Sequence, residues 1–164
     1  MGLFDFIKKK EEKTPTKNIV ACASGTLVDI TMVEDPTFAE KMMGDGYAIA
    51  PSEGTVVSPI DGEIAVAFPT GHAFGIKSED GLEVLIHIGI DTVGLNGKGF
   101  TAKVQTGQKV HAGDVLVKVD LNAIQTAGLD STIMNIFTAG FDSTTADLPY
   151  GSSLKAGDPV IARD

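Results

Sequence analysis

The chain has 164 residues, of which 43% are hydrophobic, and a formal charge of −9. This length suffices for one domain with a proper core, while the acidic balance argues against binding to nucleic acid or, in general, to anionic lipid. The single cysteine, Cys22, excludes a disulfide framework and favours a reducing, cytoplasmic location.

The N-terminal residues 1–17 are predicted to form a tail outside the globular domain. Leu3, Phe6 and Ile7 can share one face of a short helix, so residues 1–10 could make a weak amphipathic contact with a membrane or a partner. The alternative interpretation is a frayed, solvated terminus. No apolar run reaches the length of a membrane span, and no signal peptide is visible.

The globular domain is predicted over residues 18–164. Its glycine-punctuated runs, rich in Val, Ile and Thr, favour an all-β chain of short strands and tight turns. Two segments look like copies of one unit, VHAGDVLV at 110–117 and LKAGDPVI at 154–161. In each, a turn with Ala-Gly-Asp leads into an apolar strand. This internal repeat indicates an antiparallel β-sandwich or barrel built from related halves.

Two short segments have helical rather than strand patterns. Residues 38–44 (FAEKMMG) predict a helical turn that ends at Gly44. Residues 120–127 (DLNAIQTA) predict a short helix that begins at an Asp120 cap. The fold class is therefore all-β with one or two short helices.

Residues 70–91 (TGHAFGIKSEDGLEVLIHIGID) hold two of the three histidines and predict a β-hairpin centred on SEDG. In the second strand, alternate residues form an aliphatic row on one face, which we expect to be buried in the core. His87 lies in the row on the opposite face. The aliphatic row is Leu82, Val84, Ile86, Ile88 and Ile90.

The register of this hairpin decides whether His72 and His87 meet. A two-residue turn, either Glu79-Asp80 or Asp80-Gly81, places the histidines directly or diagonally opposite each other on one face of the sheet. A loop of odd length places them on opposite faces. Two of the three plausible turns therefore predict a histidine pair.

A pair of imidazoles suits two chemistries. Because imidazole titrates near neutrality, one ring can attack a phosphoryl group while the other donates hydrogen bonds to its oxygens. The same pair can hold zinc, with Asp91 as a third ligand. Thr70 precedes His72 by two residues and could orient that ring if the chain there is extended. The alternative interpretation is two ordinary surface histidines.

The remaining candidates are predicted to be structural. His111 lies in a turn and should be solvated, and Cys22 has no nearby His or CxxC partner, so it should be a buried thiol. A zinc peptidase of the lysostaphin-like type would need an additional His-x-His pair, for which only His111 is left.

Four motifs in order, MGDGYAIAP, SPIDGEI, GHAFGI and HIGIDTV, resemble the glucose-type EIIA domains of the bacterial sugar phosphotransferase system, over about residues 18–163. The resemblance implies an antiparallel β-sandwich that acts as a phosphotransferase component without a required cofactor. His87 would accept a phosphoryl group on Nε2 from the phosphocarrier protein HPr and pass it to an EIIB domain of a membrane sugar permease. His72 would hydrogen-bond to the phosphoryl oxygens, and Thr70 would position His72.

The resemblance also implies a docking surface around the histidines. Asp91 and Asp35 would flank the site and meet basic residues of HPr. Leu85 stands where enteric relatives have an aromatic residue, so its contact would be smaller. An apolar patch would complete the surface, formed by Phe38, Phe68, Met42, Met43 and Val93.

Two further functions stay open at this point. In enteric members of the family the unphosphorylated protein inhibits permeases and kinases, so this chain could be mainly a regulatory binding module. Zinc held by His72, His87 and a carboxylate from a partner would fit that setting. The resemblance does not indicate which sugar is transported, because sugar specificity lies in another domain of the permease. We expect this chain to be a monomer.

Overall fold

The computed structural model describes residues 15–163 and confirms the predicted all-β class. The strands are β1 Ile19–Val20, β2 Gly25–Asp29, β3 Gly46–Pro51, β4 Thr55–Val57, β5 Gly62–Ala67, β6 Ala73–Lys77, β7 Glu83–Ile88, β8 Phe100–Ala102, β9 Lys109–Val110, β10 Val115–Val119, β11 Ile133–Ala139, β12 Ser153–Leu154 and β13 Pro159–Ile161. The helices are α1 Pro36–Ala39 and α2 Leu121–Thr126, with 3-10 turns at Ile30–Met32 and Thr92–Leu95.

The strands form antiparallel sheets around a shared core. The largest sheet has the order β12-β2-β3-β11-β7-β6-β5-β9, and it faces a sheet of β4-β10-β8 and the pair β1-β13. The main hydrophobic cluster takes side chains from all three, including Ile19, Leu116 and Ile86. A second cluster, which contains Ile30 and Met134, covers part of the other face of the large sheet.

The predicted internal repeat is visible in the hydrogen bonds of the two Ala-Gly-Asp turns. In the first (111–114) and the second (155–158), the aspartate side chain accepts from the amide three residues earlier, at 2.7 and 2.8 Å. The glycines have φ values of 94° and 93°. Each glycine amide donates to the carbonyl of the residue that follows another strand, Ser58 after β4 and Ala21 after β1, at 2.8 Å in both cases.

The first helix lies earlier than the sequence predicted. It spans Pro36–Ala39 instead of residues 38–44, because the Asp35 side chain accepts from the Thr37 amide and Pro36 occupies the first turn. Lys41, with φ 57°, already leaves the helical path before Gly44. The second helix agrees with its prediction: the Asp120 side chain accepts from the amides of the first turn.

The hairpin has the third of the predicted registers, the odd-length loop that was expected to place the two histidines on opposite faces. Ala73 of β6 pairs with His87 of β7, which corresponds to a loop of odd length. Ser78 donates its amide to the Leu82 carbonyl at 2.9 Å, and Gly81 closes the three-residue loop with φ 93°. Glycine supplies this left-handed conformation without steric cost, so the loop and not a two-residue turn sets the register.

The predicted tail is described only in part. Within residues 15–163 the chain is already attached at Thr16, whose amide donates to the Asp61 carboxylate at 2.7 Å. The amphipathic contact predicted for residues 1–10 lies outside the described residues.

Candidate functional site

The two histidines meet in spite of the odd register. His72 precedes the first residue of β6, and Gly71 before it has φ 73°, so the alternation of faces along the strand does not extend to His72. The His72 carbonyl accepts from the Ile88 amide at 2.7 Å, which holds this turn against the end of β7. The ring centroids of His72 and His87 are 5.2 Å apart, with an interplanar angle of 80°.

Within residues 15–163, one ring nitrogen of His87 has a hydrogen-bond partner and the other has none. Its row in β7 points away from the main core, while its neighbours Ile86 and Ile88 are fully buried. Nδ1 lies 2.8 Å from the Gly89 carbonyl oxygen. Because a carbonyl only accepts, Nδ1 carries the proton in the neutral ring and Nε2 keeps its lone pair. This tautomer makes Nε2 the nucleophilic atom.

His72 is oriented by the side chain of Thr70, two residues earlier in the sequence. Its ring is 5% exposed, and Nδ1 is hydrogen-bonded to the Thr70 hydroxyl. If that hydroxyl donates to Nδ1, the proton of the neutral ring sits on Nε2 and can be donated to an anion. Aromatic rings contact both histidines: Phe68 lies 5.3 Å from His72, and Phe38 lies 5.1 Å from His87, between centroids.

Both imidazoles are poised to be neutral. Burial lowers the pKa of His72, and the neighbouring His87 lowers it further. Burial also lowers the pKa of His87, although the Gly89 carbonyl and the charges of Asp35 and Asp91 act in the opposite direction. A neutral ring is the form that can attack phosphorus.

We expect both histidines to titrate below the ordinary imidazole value of 6.5. As the pH falls through 6.5, the unfolded chain takes up these protons before the folded one, so the free energy of unfolding decreases with falling pH in this window. Histidine ring signals followed by NMR across a pH series measure the two midpoints. A midpoint above 6.5 for either ring would contradict the neutral pair.

The two predicted acidic residues flank His87. Asp35 is half-buried at the start of α1, and Asp91 is exposed in a left-handed conformation with φ 62° and makes no capping hydrogen bond. Asp91 does not complete a metal site, however. Within residues 15–163, no group of three His, Cys, Asp or Glu side chains is close enough together to hold a metal ion.

The structure separates the predicted apolar patch into exposed and buried members. Exposed large side chains include Met42 at 72%, Val93 at 54%, Met43 at 42% and Phe68 at 39%. Phe38 is only 5% exposed, because it packs with the second cluster and against the His87 ring. It therefore supports His87 and offers little docking surface, which corrects the expectation for this residue.

The expectation for Leu85 also needs adjustment. Leu85 is half-buried and packs at the edge of the second cluster, so only part of it can meet a partner. Two further apolar residues, Met32 at 73% and Val66 at 41%, are exposed although the sequence did not predict it. Neither stands in a motif or an alternating pattern that would mark it as exposed.

Cys22 and His111 take the structural places predicted for them. Cys22 is fully buried and accepts a hydrogen bond from the Asn135 amide at 3.3 Å. Burial raises the pKa of its thiol to about 11, so the nucleophilic thiolate is absent at neutral pH. His111 is half-exposed in its turn, with Nδ1 3.8 Å from the Asp61 carboxylate.

Comparison with known proteins gives one consistent result. Residues 17–142 match the family model described as phosphoenolpyruvate-dependent sugar phosphotransferase system, EIIA 1. A glucose-specific EIIA component from Halalkalibacterium halodurans is 46% identical, over 93% of this chain and 89% of that protein. A glucose-specific EIICBA component from Streptococcus pneumoniae is 49% identical over 90% of this chain, which spans only 20% of that protein.

The solved structures agree with the sequence relatives. Glucose permease IIA from Mycoplasma capricolum superposes with a TM-score of 0.83 and 41% identity, over 88% of this chain and 93% of that one. Among residues 15–163, none of the helices has the length and apolar content needed to cross a membrane.

Proposed function

This chain belongs to the EIIA 1 family of the phosphoenolpyruvate-dependent sugar phosphotransferase system, and we propose that it carries a phosphoryl group on Nε2 of His87. The donor is phosphorylated HPr, and the acceptor is an EIIB domain of a sugar permease, of the glucose type that the relatives' names indicate. The observation that carries the proposal is the contact between the His72 and His87 rings, together with the hydrogen bond from Nδ1 of His87 to the Gly89 carbonyl.

The transfer step needs only positioning and charge stabilisation from the protein. The bond from Nε2 of His87 to phosphorus forms as the bond between phosphorus and the donor breaks. The Nδ1 proton stays on its hydrogen bond to the Gly89 carbonyl, so the ring becomes positively charged. The carbonyl, Asp35 and Asp91 all favour that positive ring.

His72 stabilises the negative oxygens of the group in transit. When the Thr70 hydroxyl donates to Nδ1, the His72 ring carries its proton on Nε2 and can donate it to an anion bound beside His87. Its lowered pKa keeps the ring a neutral donor, which avoids a fixed ion pair that would trap the phosphoryl group. The group therefore stays transferable.

Docking of HPr uses the acidic and apolar residues around the site. Asp35 and Asp91 supply negative charge near His87, and the exposed side chains of Met42, Phe68 and Val93 supply apolar contact. Transient interfaces combine an apolar centre with a polar rim, and complementary charge raises the association rate.

Replacing Asp91 with asparagine should lower the association rate constant with phosphorylated HPr severalfold, because asparagine removes the charge but tolerates the left-handed backbone at φ 62°. The effect should shrink at high salt, since ions screen exposed charges. Stopped-flow measurements at two ionic strengths test this. Glu79→Gln, exposed in the loop at the far end of the hairpin, is the matched control. Equal rate losses in both variants would show that only net charge matters.

The direct test of the proposal incubates the protein with phosphoenolpyruvate, enzyme I and HPr. Intact mass, measured without acid because phosphohistidine is acid-labile, should increase by one phosphoryl group. Absence of any label would reject the phosphocarrier function. Zinc titration of the same histidine pair would then be the next experiment.

Three finer proposals accompany the main one. The exposed methionines, above all Met32 and Met42, favour a second role for this chain, in which it binds and regulates other proteins. The phosphorylation state of His87 would control that binding. His72 and His87 supply two of the four ligands that zinc takes, so zinc would need further ligands from such a partner. A cytoplasmic location is supported by the free thiol of Cys22. The membrane contact of residues 1–10 stays a prediction.

A further inference from the structure

The Gly89 carbonyl, which accepts the hydrogen bond from Nδ1 of His87, lies in a turn directly after β7. Gly89 has φ 79°, and its amide donates to the Thr132 carbonyl at 2.9 Å. The next amide, that of Ile90, donates to the Asp130 carbonyl at 2.9 Å. In a trans peptide the N–H and C=O point in opposite directions. The Gly89 carbonyl is therefore aimed away from Asp130 and toward Nδ1 of His87.

Thr92 touches this turn in two ways. It is fully buried, and its hydroxyl donates to the Ile88 carbonyl, on the peptide just before Gly89. Its methyl group occupies the space beside Gly89, where an added Cβ would lie 2.3 Å from Thr92 Cγ2. The Ile88–Gly89 peptide is thus held at its carbonyl by Thr92 and at its amide by Thr132, and the following peptide is held at the Ile90 amide by Asp130.

We propose that Thr92 is a positioning residue for phosphoryl transfer: its buried hydroxyl orients the Ile88–Gly89 turn so that the Gly89 carbonyl selects the His87 tautomer with a free Nε2. The consequence for transfer rests on the proposed function, but the effect on the tautomer does not. Burying a hydroxyl without a hydrogen-bond partner costs free energy, so the Thr92 hydroxyl holds the Ile88 carbonyl in place. The methyl group of a valine at this position could not hold that carbonyl, because it cannot donate a hydrogen bond.

The test compares Thr92→Val, which removes the hydroxyl and keeps the shape, with Thr92→Ser, which keeps the hydroxyl. The matched control is Thr145→Val, because Thr145 is also buried and its hydroxyl donates to the Asp45 carboxylate at 2.9 Å. Nitrogen-15 NMR of the His87 ring in the unphosphorylated protein, above neutral pH, reports the tautomer. The rate of phosphoryl acceptance from HPr is measured in parallel.

We expect the Nδ1–H tautomer in the wild type, Thr92→Ser and Thr145→Val, and a mixture with the Nε2–H tautomer in Thr92→Val. Acceptance should slow about tenfold in Thr92→Val alone, the size of one lost hydrogen bond. Should Thr92→Val fail to fold, Thr92→Ala removes the same hydroxyl without adding bulk.

An unchanged tautomer in the hydroxyl-free variant, with a stability loss like that of Thr145→Val, would overturn the inference and leave Thr92 a packing residue. If the tautomer shifts but no form of the protein accepts a phosphoryl group, the positioning role stands and the proposed function fails. The two failures are therefore distinguishable.

Discussion

His87→Gln should abolish phosphoryl uptake while leaving the fold intact. Glutamine is similar in length to histidine and can keep a hydrogen bond to the Gly89 carbonyl, but its amide nitrogen has no lone pair available for attack on phosphorus. His87 lies in the partly buried row of β7 and not in the fully buried row, so we expect the free energy of unfolding to change by no more than about 1 kcal/mol. Intact mass after incubation with phosphoenolpyruvate, enzyme I and HPr measures uptake, and thermal unfolding measures stability.

The matched control for this experiment is His111→Gln. His111 is half-exposed and lies in a turn of the internal repeat, bonded to that turn through its backbone amide. The control variant should be labelled like the wild type. A labelled His87→Gln protein would place the phosphoryl group elsewhere and contradict the assignment.

His72→Gln should have a different effect, because the role we propose for His72 is to stabilise the phosphoryl group and not to carry it. We expect the variant to become phosphorylated but to pass the group to an EIIB domain about 100-fold or more slowly, the loss typical when one donor to a developing charge is removed. Single-turnover transfer from the phosphorylated protein, followed by rapid quench at alkaline pH, measures this rate.

The same His111→Gln variant serves as the control for onward transfer and should match the wild-type rate. If His72→Gln transferred the group to EIIB at the wild-type rate, His72 would have no part in the transfer step. Failure of His72→Gln to accept the group at all would assign His72 an earlier role, in attack or in docking of HPr.

Much of the fold could be predicted from local patterns. The alternation along β7 correctly separates the buried row, such as Ile86, from the row of His87. The two Ala-Gly-Asp turns are short and self-contained, since each is closed by an aspartate three residues from the amide that it binds. That is why their sequence similarity translated directly into structural similarity.

The hairpin register could not be predicted in the same way. Both two-residue turns were compatible with SEDG, and the choice of an odd loop depends on the Ser78–Leu82 pair and on the conformation of Gly81. The position of His72 then depends on Gly71, which turns the chain before β6 begins. The odd-length loop and the turn at Gly71 together bring the two histidines into contact. The alternation of faces along the two strands alone would not produce this pair.

Contacts between distant parts of the chain were beyond sequence reasoning. Phe38 was expected on the surface, but a cap at Asp35 starts α1 early and directs this ring into the second cluster beside His87. The contact of Thr92 could not be predicted, because it is made to a turn that is held by Asp130, 40 residues away along the chain. Thr92 lies within the HIGIDTV motif, but the motif does not show which backbone carbonyl its hydroxyl contacts.

The central claim is that Nε2 of His87 carries the phosphoryl group, and its most direct test is NMR of the phosphorylated, nitrogen-15-labelled protein. We predict a phosphorus–nitrogen coupling at Nε2 of His87, with the proton retained on Nδ1 by the Gly89 carbonyl. A coupling at Nδ1 of His87, or at either nitrogen of His72, would contradict the account.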